Sequence, residues 1–226
     1  MRAPISVVIP TLNAKVALAS CLATLYEGVQ AGLIRELIVV DGGSQDGTED
    51  FAREVGADVV LTEPSRGGQL KAGCATARGE WLLVLHADTI LEEGWTDAVE
   101  AHLAQDTAAY FKLRFDAAGF MPSIVAGWAN LRARLFGMPF GDQGLLVRRS
   151  VYEAAGGYRN IALMEDVALI RALPGRPVAL STTLTTSAAR YEADGWLLRG
   201  ARNIGLQIRY LFGASPEDLA KVYRKK

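Results

Sequence analysis

Two side chains close an apolar run, and their types and spacing point to cation or phosphate chemistry. The run is Trp81-Leu82-Leu83-Val84-Leu85, and His86 and Asp88 follow it. An unbroken apolar stretch of this length, bounded by Gly79 and Asp88, reads as a strand buried on both faces of a parallel sheet. Ligands of such sheets bind outside the carboxyl ends of the strands, where His86 and Asp88 sit. On an extended chain, residues two apart point to the same side. A carboxylate and an imidazole converging there can hold a divalent metal, and the metal can hold a diphosphate. Asp88 equally suits a turn and His86 a satisfied core position, so the pair alone leaves both readings open.

The elements that must position the pair are legible in the first half of the chain. Strand patterns cover 5–9, 37–40, 58–62 and 81–85, and helical patterns cover 14–26, 46–55 and 68–78, with Asn13 as a cap of the first helix. The acidic residues Asp46, Glu49 and Asp50 crowd one helix start and suit its dipole. Strands alternating with helices specify an α/β fold with a doubly wound parallel sheet. Right-handed crossovers then bring every strand's carboxyl end to one rim. Four loops should meet there: Pro10–Asn13, Asp41–Gly47, Glu63–Gln69 and His86–Asp88.

The loop after Val40 is neither a P-loop nor a dinucleotide fingerprint, because GxxxxGK[ST] and GxGxxG are both absent. Asp41 is suited to accepting hydrogen bonds from a nucleobase or ribose, and Gly42 and Gly43 let the backbone approach closely. A tight turn capped by Ser44 explains the same residues. Arg66, with Gly67 and Gly68 at a helix start, can contact a diphosphate or a base, or can be a solvated loop arginine. Gln69 follows on the same rim.

Composition narrows the classes. The chain has 226 residues, half of them hydrophobic and 22% charged, which suits one α/β domain with additions. A net charge of -1 gives no electrostatic footprint for nucleic acid. Cys21 and Cys74 lie far apart, each in a predicted helix, and read as buried thiols of a reducing cytosol. No basic flank and cleavage site precede 5–9, and no apolar run approaches the ~18 residues of a membrane span. The expectation is a cytoplasmic protein, with contact at a membrane surface left open.

The second half is less regular. Residues 108–116 alternate as an antiparallel or edge strand, 121–136 form an amphipathic helix, and Phe140-Gly141-Asp142-Gln143-Gly144 precedes an apolar strand at 145–147. A short helix at 150–155 ends at Gly156-Gly157, and Glu165-Asp166 open another helix stopped before Pro174. Strands at 178–180 and 184–186 and a long helix at 196–212 lead to a basic tail of Lys221, Arg224, Lys225 and Lys226. His102 reads as a surface helix residue, and Trp128 and Trp196 as core or acceptor-side packing. Arg199 and Arg202 read as solvated helix arginines that can also reach a diphosphate.

Four segments in this order carry a resemblance: Ser6–Asn13, Val39–Thr48, His86-Ala87-Asp88 and Glu165-Asp166. Together they resemble a family 2 glycosyltransferase with the GT-A fold, over about residues 4–170. The HAD triplet and the GDQG segment are most similar to the small subgroup labelled radical-SAM/selenodomain-associated transferase 2. The resemblance implies one GT-A domain over 1–226, with a nucleotide-sugar-binding half at about 1–106, an acceptor-binding half at about 107–226 and a helical C-terminal extension. It implies an inverting transfer of a single hexose from a nucleotide-diphosphate sugar, assisted by Mn²⁺ or Mg²⁺. Pro10 and Thr11 match the first nucleotide loop, Asp41 the nucleobase position, Asp88 the metal-binding carboxylate of DxD, and Asp166, beside Glu165, the general base. The expected donor site is therefore Pro10, Thr11, Asn13, Asp41, Gly43, Arg66, Gly67, Gln69, His86, Ala87 and Asp88, with Asp88 and His86 on the metal. Asp142 and Gln143, just before an apolar strand, can line the acceptor pocket, and a turn at Gly141-Asp142 explains them equally well. Two departures stand out: Gly42 replaces a second aspartate, and His86 replaces the first carboxylate of DxD. The QxxRW motif of processive relatives is absent, which favours transfer of one sugar. A nucleotidyltransferase would need a basic, glycine-rich first loop, and Pro10–Asn13 is neither. An inactive nucleotide-sugar-binding protein, and a membrane-associated transferase acting on a lipid phosphate, stay as alternatives. A homodimer also stays open.

Overall fold

Alternating inward-facing side chains explain why the first strands lie at the centre. In strand β1 (Ile5–Thr11), Val7 and Ile9 face one apolar layer and Val8 faces the other. A strand buried on both faces needs helices on both sides, and the chain supplies them. In the computed structural model, which describes residues 3–224, β1 is followed by α1 (Lys15–Gln30), β2 (Ile34–Asp41), α2 (Thr48–Glu54), β3 (Asp58–Leu61), α3 (Arg66–Thr76) and β4 (Trp81–Val84). β1 pairs in parallel with β2 and β4, and β2 with β3. The four carboxyl ends therefore share one rim, as the alternation predicts.

Beyond β4 the sheet becomes mixed. The chain continues through β5 (Ile90–Leu91), α4 (Trp95–His102), β6 (Ala109–Phe115), α5 (Phe120–Phe136), a 3-10 turn (Gly141–Gln143), β7 (Leu145–Arg148), α6 (Arg149–Ala154), α7 (Glu165–Ala172), β8 (Val178–Thr186), α8 (Ala189–Asp194), α9 (Trp196–Leu211) and α10 (Pro216–Arg224). The strand order is β3-β2-β1-β4-β7-β6-β8-β5. β7 lies antiparallel between β4 and β6, and β8 runs parallel to β6.

Several expectations need correction. Of the two places expected for residues 108–116, antiparallel or edge, β6 takes the antiparallel one beside β7 and is no edge, since β8 flanks it on the other side. The strands expected at 178–180 and 184–186 are one strand, whose pairing with β6 shifts register between Tyr110 and Lys112. Asn13 does not cap α1. The cap position is Ala14, and Asn13 adopts a left-handed backbone (φ 50°) with its Oδ1 accepting the Gln45 amide. His102 is buried rather than on the surface, its Nε2 lying 2.7 Å from the Thr107 carbonyl and its ring edge-on to Trp81. Trp128 is 49% exposed and so is not core. Trp196 does pack as expected, against Phe115 and Tyr191. Cys21 and Cys74 are both buried in helices. Lys225 and Lys226 of the basic tail lie outside the described residues. Among those described, no helix is long and apolar enough to cross a membrane.

Candidate active site

One cleft of about 590 Å³ opens along the carboxyl rim. Of the residues singled out in the sequence, it gathers Pro10, Thr11, Asn13, Arg66, Gln69, His86, Ala87, Asp88, Asp142, Glu165 and Asp166. Carboxylates some eighty positions apart in the chain line it together, Asp88 after the end of β4 and Asp166 in the first turn of α7. Asp41, Gly43, Gly67 and Gln143 do not line this cleft.

The residues away from the cleft build its walls. Asp41 is 1% exposed and accepts hydrogen bonds from Thr11 Oγ1, the Gly43 and Ser44 amides, and the Ser44 hydroxyl. Burial opposes its ionisation, but the Ser44, Thr11 and Gly43 hydrogen bonds outweigh that and hold its carboxyl below the usual range. Gln69 is also buried, and its Nε2 donates to the carbonyls of Thr11 and Val40, each at 2.8 Å. It clamps the ends of β1 and β2 together. A side chain at position 42 would meet Gln69 Nε2 and Pro64 Cα at 3.2 Å, which accounts for glycine where an aspartate was expected. At Gly67 a Cβ would lie 2.3 Å from the Arg159 carbonyl, so this glycine lets α3 pack on the chain before α7. Gln143 is fully buried, with Nε2 3.4 Å from the Phe111 carbonyl and Oε1 accepting the Phe140 amide at 3.2 Å.

Within the cleft a polar chain runs from α7 to the end of β4. Glu165 Oε1 pairs with Arg66 Nε at 3.1 Å, and an Arg66 terminal nitrogen lies 3.2 Å from His86 Nδ1. Burial raises the Glu165 carboxyl, helped by the neighbouring Asp166 charge and opposed by Arg66. Burial, with the positive charges of Arg66 and Arg190, holds His86 well below the ordinary imidazole range, so the ring is neutral. Asp166 accepts the Gly141 amide on Oδ2 and the Val167 amide on Oδ1, both at 2.7 Å. Gly141 stands at the junction of these groups. A Cβ there would lie 3.0 Å from Arg66, 3.2 Å from His86 Nε2 and 3.3 Å from Asp166 Oδ2. Asp142 faces the cleft with a buried Oδ1 that has no hydrogen-bond partner among the described residues. Burial pushes its carboxyl up to about 6, against the pull of Arg132.

The donor set bears on a cation. Extended geometry would aim His86 and Asp88 alike, but the strand ends at Val84 and the two diverge in a turn closed by the Thr89 amide on the His86 carbonyl. His86 Nδ1 faces a guanidinium, which donates to it, leaving the proton on Nε2. Asp88 instead faces the cleft beside Thr186, whose hydroxyl lies 3.4 Å from Oδ2. Among the described residues no group of three metal-binding side chains assembles. The residues thus fit a cation held by one carboxylate, Asp88, with the remaining ligands coming from phosphate oxygens and water, as is common for Mg²⁺.

Another wall carries Arg199, already read as able to reach a diphosphate, together with residues that no motif marks. Arg190 and Tyr191 of α8, Arg199 and Asn203 of α9, and Tyr223 of α10 all line the cleft. Tyr191 stacks on Trp196 and meets Phe115 edge-on, fixing α8 against β6. Arg199 pairs with Asp194 at 2.5 Å and donates to the Tyr223 hydroxyl at 2.9 Å. The six-residue α8 carries no motif, and only the aromatic spacing of Phe115, Tyr191 and Trp196 hinted at a packed wall.

Comparisons with known proteins accord with this geometry. Residues 6–124 match the sequence model of Glycosyl transferase family 2. The PGL/p-HBAD biosynthesis glycosyltransferase of Mycobacterium tuberculosis is 38% identical over 104 residues, covering 42% of this chain and 40% of that protein. Glucosyl-3-phosphoglycerate synthase of Mycolicibacterium smegmatis is 35% identical over 95 residues, covering 38% and 31%. This chain thus accounts for well under half the length of either relative. Among solved structures, a mannosyltransferase of Pyrobaculum calidifontis in complex with GDP-Man and Mn²⁺ aligns with a TM-score of 0.68 at 17% identity, over 98% of this chain and 68% of that one. Glucosyl-3-phosphoglycerate synthase of M. tuberculosis, in complex with Mn²⁺, UDP and phosphoglyceric acid, aligns with a TM-score of 0.54 at 23% identity, over 78% and 67%. At such identities these structures speak to the fold, which is GT-A.

Proposed function

This chain belongs to glycosyl transferase family 2, and on that premise we propose that it transfers one hexose from a nucleotide-diphosphate sugar to an acceptor hydroxyl, with inversion. The observation that carries this reading is the single cleft shared by Asp88, His86, Arg66, Asp142 and Asp166. Its HAD and GDQG segments support the radical-SAM/selenodomain-associated subgroup, and a cytoplasmic setting accompanies that assignment.

The nucleotide rests against Pro10, Thr11 and Asn13, on a loop shaped by Asp41 and Gln69. The diphosphate lies toward Asp88, His86 and Arg66. Asp88 would hold a divalent cation, which when bound neutralises charge on the leaving diphosphate. Transfer breaks the bond between the anomeric carbon and the diphosphate oxygen and forms one to the acceptor oxygen. The acceptor hydroxyl proton goes to the Asp166 carboxylate, a base whose typical contribution is ~10²–10⁴-fold. The Gly141 and Val167 amides fix the orientation of that carboxylate. Arg66 neutralises Glu165, so that one neighbouring negative charge is compensated. Asp142 contacts the acceptor side.

The test is a panel of sugar nucleotides screened for protection against thermal unfolding, with Mn²⁺ or Mg²⁺ and with chelator, since a bound ligand raises the melting temperature. Protection by one donor class, reduced in Asp88→Asn, is the expected result. No protection by any sugar nucleotide sinks the reading.

A second reading concerns the acceptor and rests on α5. Phe120, Ile124, Trp128, Leu131 and Leu135 form an exposed apolar row at helical spacing. Such a row suits peripheral contact with a membrane that carries a lipid-phosphate acceptor. A phosphate acceptor is already ionised and does not require Asp166 as base, so full activity in Asp166→Asn would select it.

A further inference from the structure

Three arginines line the cleft, and two of them are neutralised within the protein. Arg66 is paired with Glu165 at 3.1 Å and Arg199 with Asp194 at 2.5 Å. Arg190 differs: its side chain donates to the Tyr223 hydroxyl at 3.5 Å, and it makes no ion pair among the described residues. It is exposed on α8, four positions after Thr186, the residue whose hydroxyl lies beside Asp88. Arg190 lines the same cleft as Asp88, His86 and Arg66. Arg190 thus brings to this cleft a charge that no carboxylate among the described residues pairs.

Resting on the donor reading above, we infer that Arg190 is a positioning residue for the donor, gripping its diphosphate from the wall facing Arg66 and His86. A guanidinium presents paired N–H groups that match phosphate oxygens, and it carries its charge at every working pH. The chemistry explains why the first carboxylate of the DxD pattern can be a histidine here. With one fewer negative charge at the end of β4, and one free positive charge opposite, the diphosphate needs less help from a cation. The residue lies well beyond the 6–124 segment that matches the family.

The test is calorimetric titration of UDP and GDP, and of uridine and guanosine, into the wild type, Arg190→Ala and Arg190→Lys, each with Mg²⁺ and with EDTA. For whichever diphosphate the wild type binds, Arg190→Ala should weaken binding about 10- to 100-fold, the range for a hydrogen-bonded charged contact. Nucleoside binding should be unchanged, Arg190→Lys should fall between, and wild-type diphosphate binding should persist in part in EDTA. Melting temperatures of the variants should match the wild type, because the side chain is exposed. The inference is overturned if Arg190→Ala binds diphosphates as the wild type does, or loses nucleoside and diphosphate alike. If the wild type binds neither diphosphate, the donor reading itself falls, and the role of Arg190 falls with it.

Discussion

Asp166 Oδ2 accepts the backbone N–H of Gly141 at 2.7 Å, so the first turn of α7 and the turn before β7 hold each other across 25 residues. The same oxygen pair that is aimed by backbone amides is the proposed base. Asp166→Asn keeps an oxygen that can accept the Gly141 amide while removing the proton acceptor. Transfer to a hydroxyl acceptor should drop ~10²–10⁴-fold, while unfolding free energy changes by less than about 1 kcal/mol. Steady-state rates beside a urea titration separate the two effects. Equal loss of stability and rate would make Asp166 a structural residue.

Gly141 itself offers a second test. A methyl group at this position meets Arg66, His86 and Asp166 at 3.0 to 3.3 Å, so each must give way by a few tenths of an ångström. Gly141→Ala should lower turnover by roughly tenfold, since small displacements of aligned groups are costly in rate. The melting temperature should move little, because the contacts are side-chain ends. Unimpaired turnover would show that the junction tolerates displacement.

Asp142 sets a pH dependence whose sign is fixed by its environment. Burial raises its carboxyl from 3.8 to about 6 in the folded protein, with Arg132 and Arg66 opposing the rise and Asp166 and Asp88 adding to it. The folded state then binds the proton more tightly than the unfolded chain. Its contribution to stability is fully present below pH 3.8 and is lost as pH rises to about 6. Above that, the ionised carboxyl costs on the order of 1–3 kcal/mol. Asp142→Asn should match the wild type near pH 4 and exceed it in stability at pH 7, measured by denaturant unfolding across that range. A difference that does not vary with pH would refute the assignment.

The exposed row on α5 leads to a vesicle experiment. The protein should sediment with vesicles, the emission of Trp128 should shift to the blue, and the double change Phe120→Ser with Leu131→Ser should abolish both. No sedimentation at any lipid composition would leave a soluble acceptor as the only reading.

The first half of the chain was readable because its signals are local. Apolar runs ending in Asp41 and in His86-Ala87-Asp88 specify buried parallel strands, and parallel strands with short crossovers leave little choice of rim. The second half was not readable in the same way. Arg190 and Tyr191 sit on six residues without a motif, and only β8 carries them to the cleft. Gln143 and Gly67 stood in functional stretches, yet one is buried between β6 and α5 and the other makes room for the Arg159 carbonyl. His102 shows the reverse: a polar residue in a polar-looking helix lies in the core because the Thr107 carbonyl satisfies its ring nitrogen. Replacing it with alanine orphans that carbonyl and should cost on the order of 1–3 kcal/mol in a urea titration.

β7 enters the sheet from the second half of the chain and runs antiparallel between β4 and β6. A fragment cut near residue 106 would leave one side of Trp81-Leu82-Leu83-Val84, four buried residues in a row, without a neighbour. The first half of the chain is therefore no portable module at that seam, because β4 needs β7 as its neighbour. Chimeras that exchange the first half must carry residues 145–148 with it, or they leave β4 as an unpaired apolar edge.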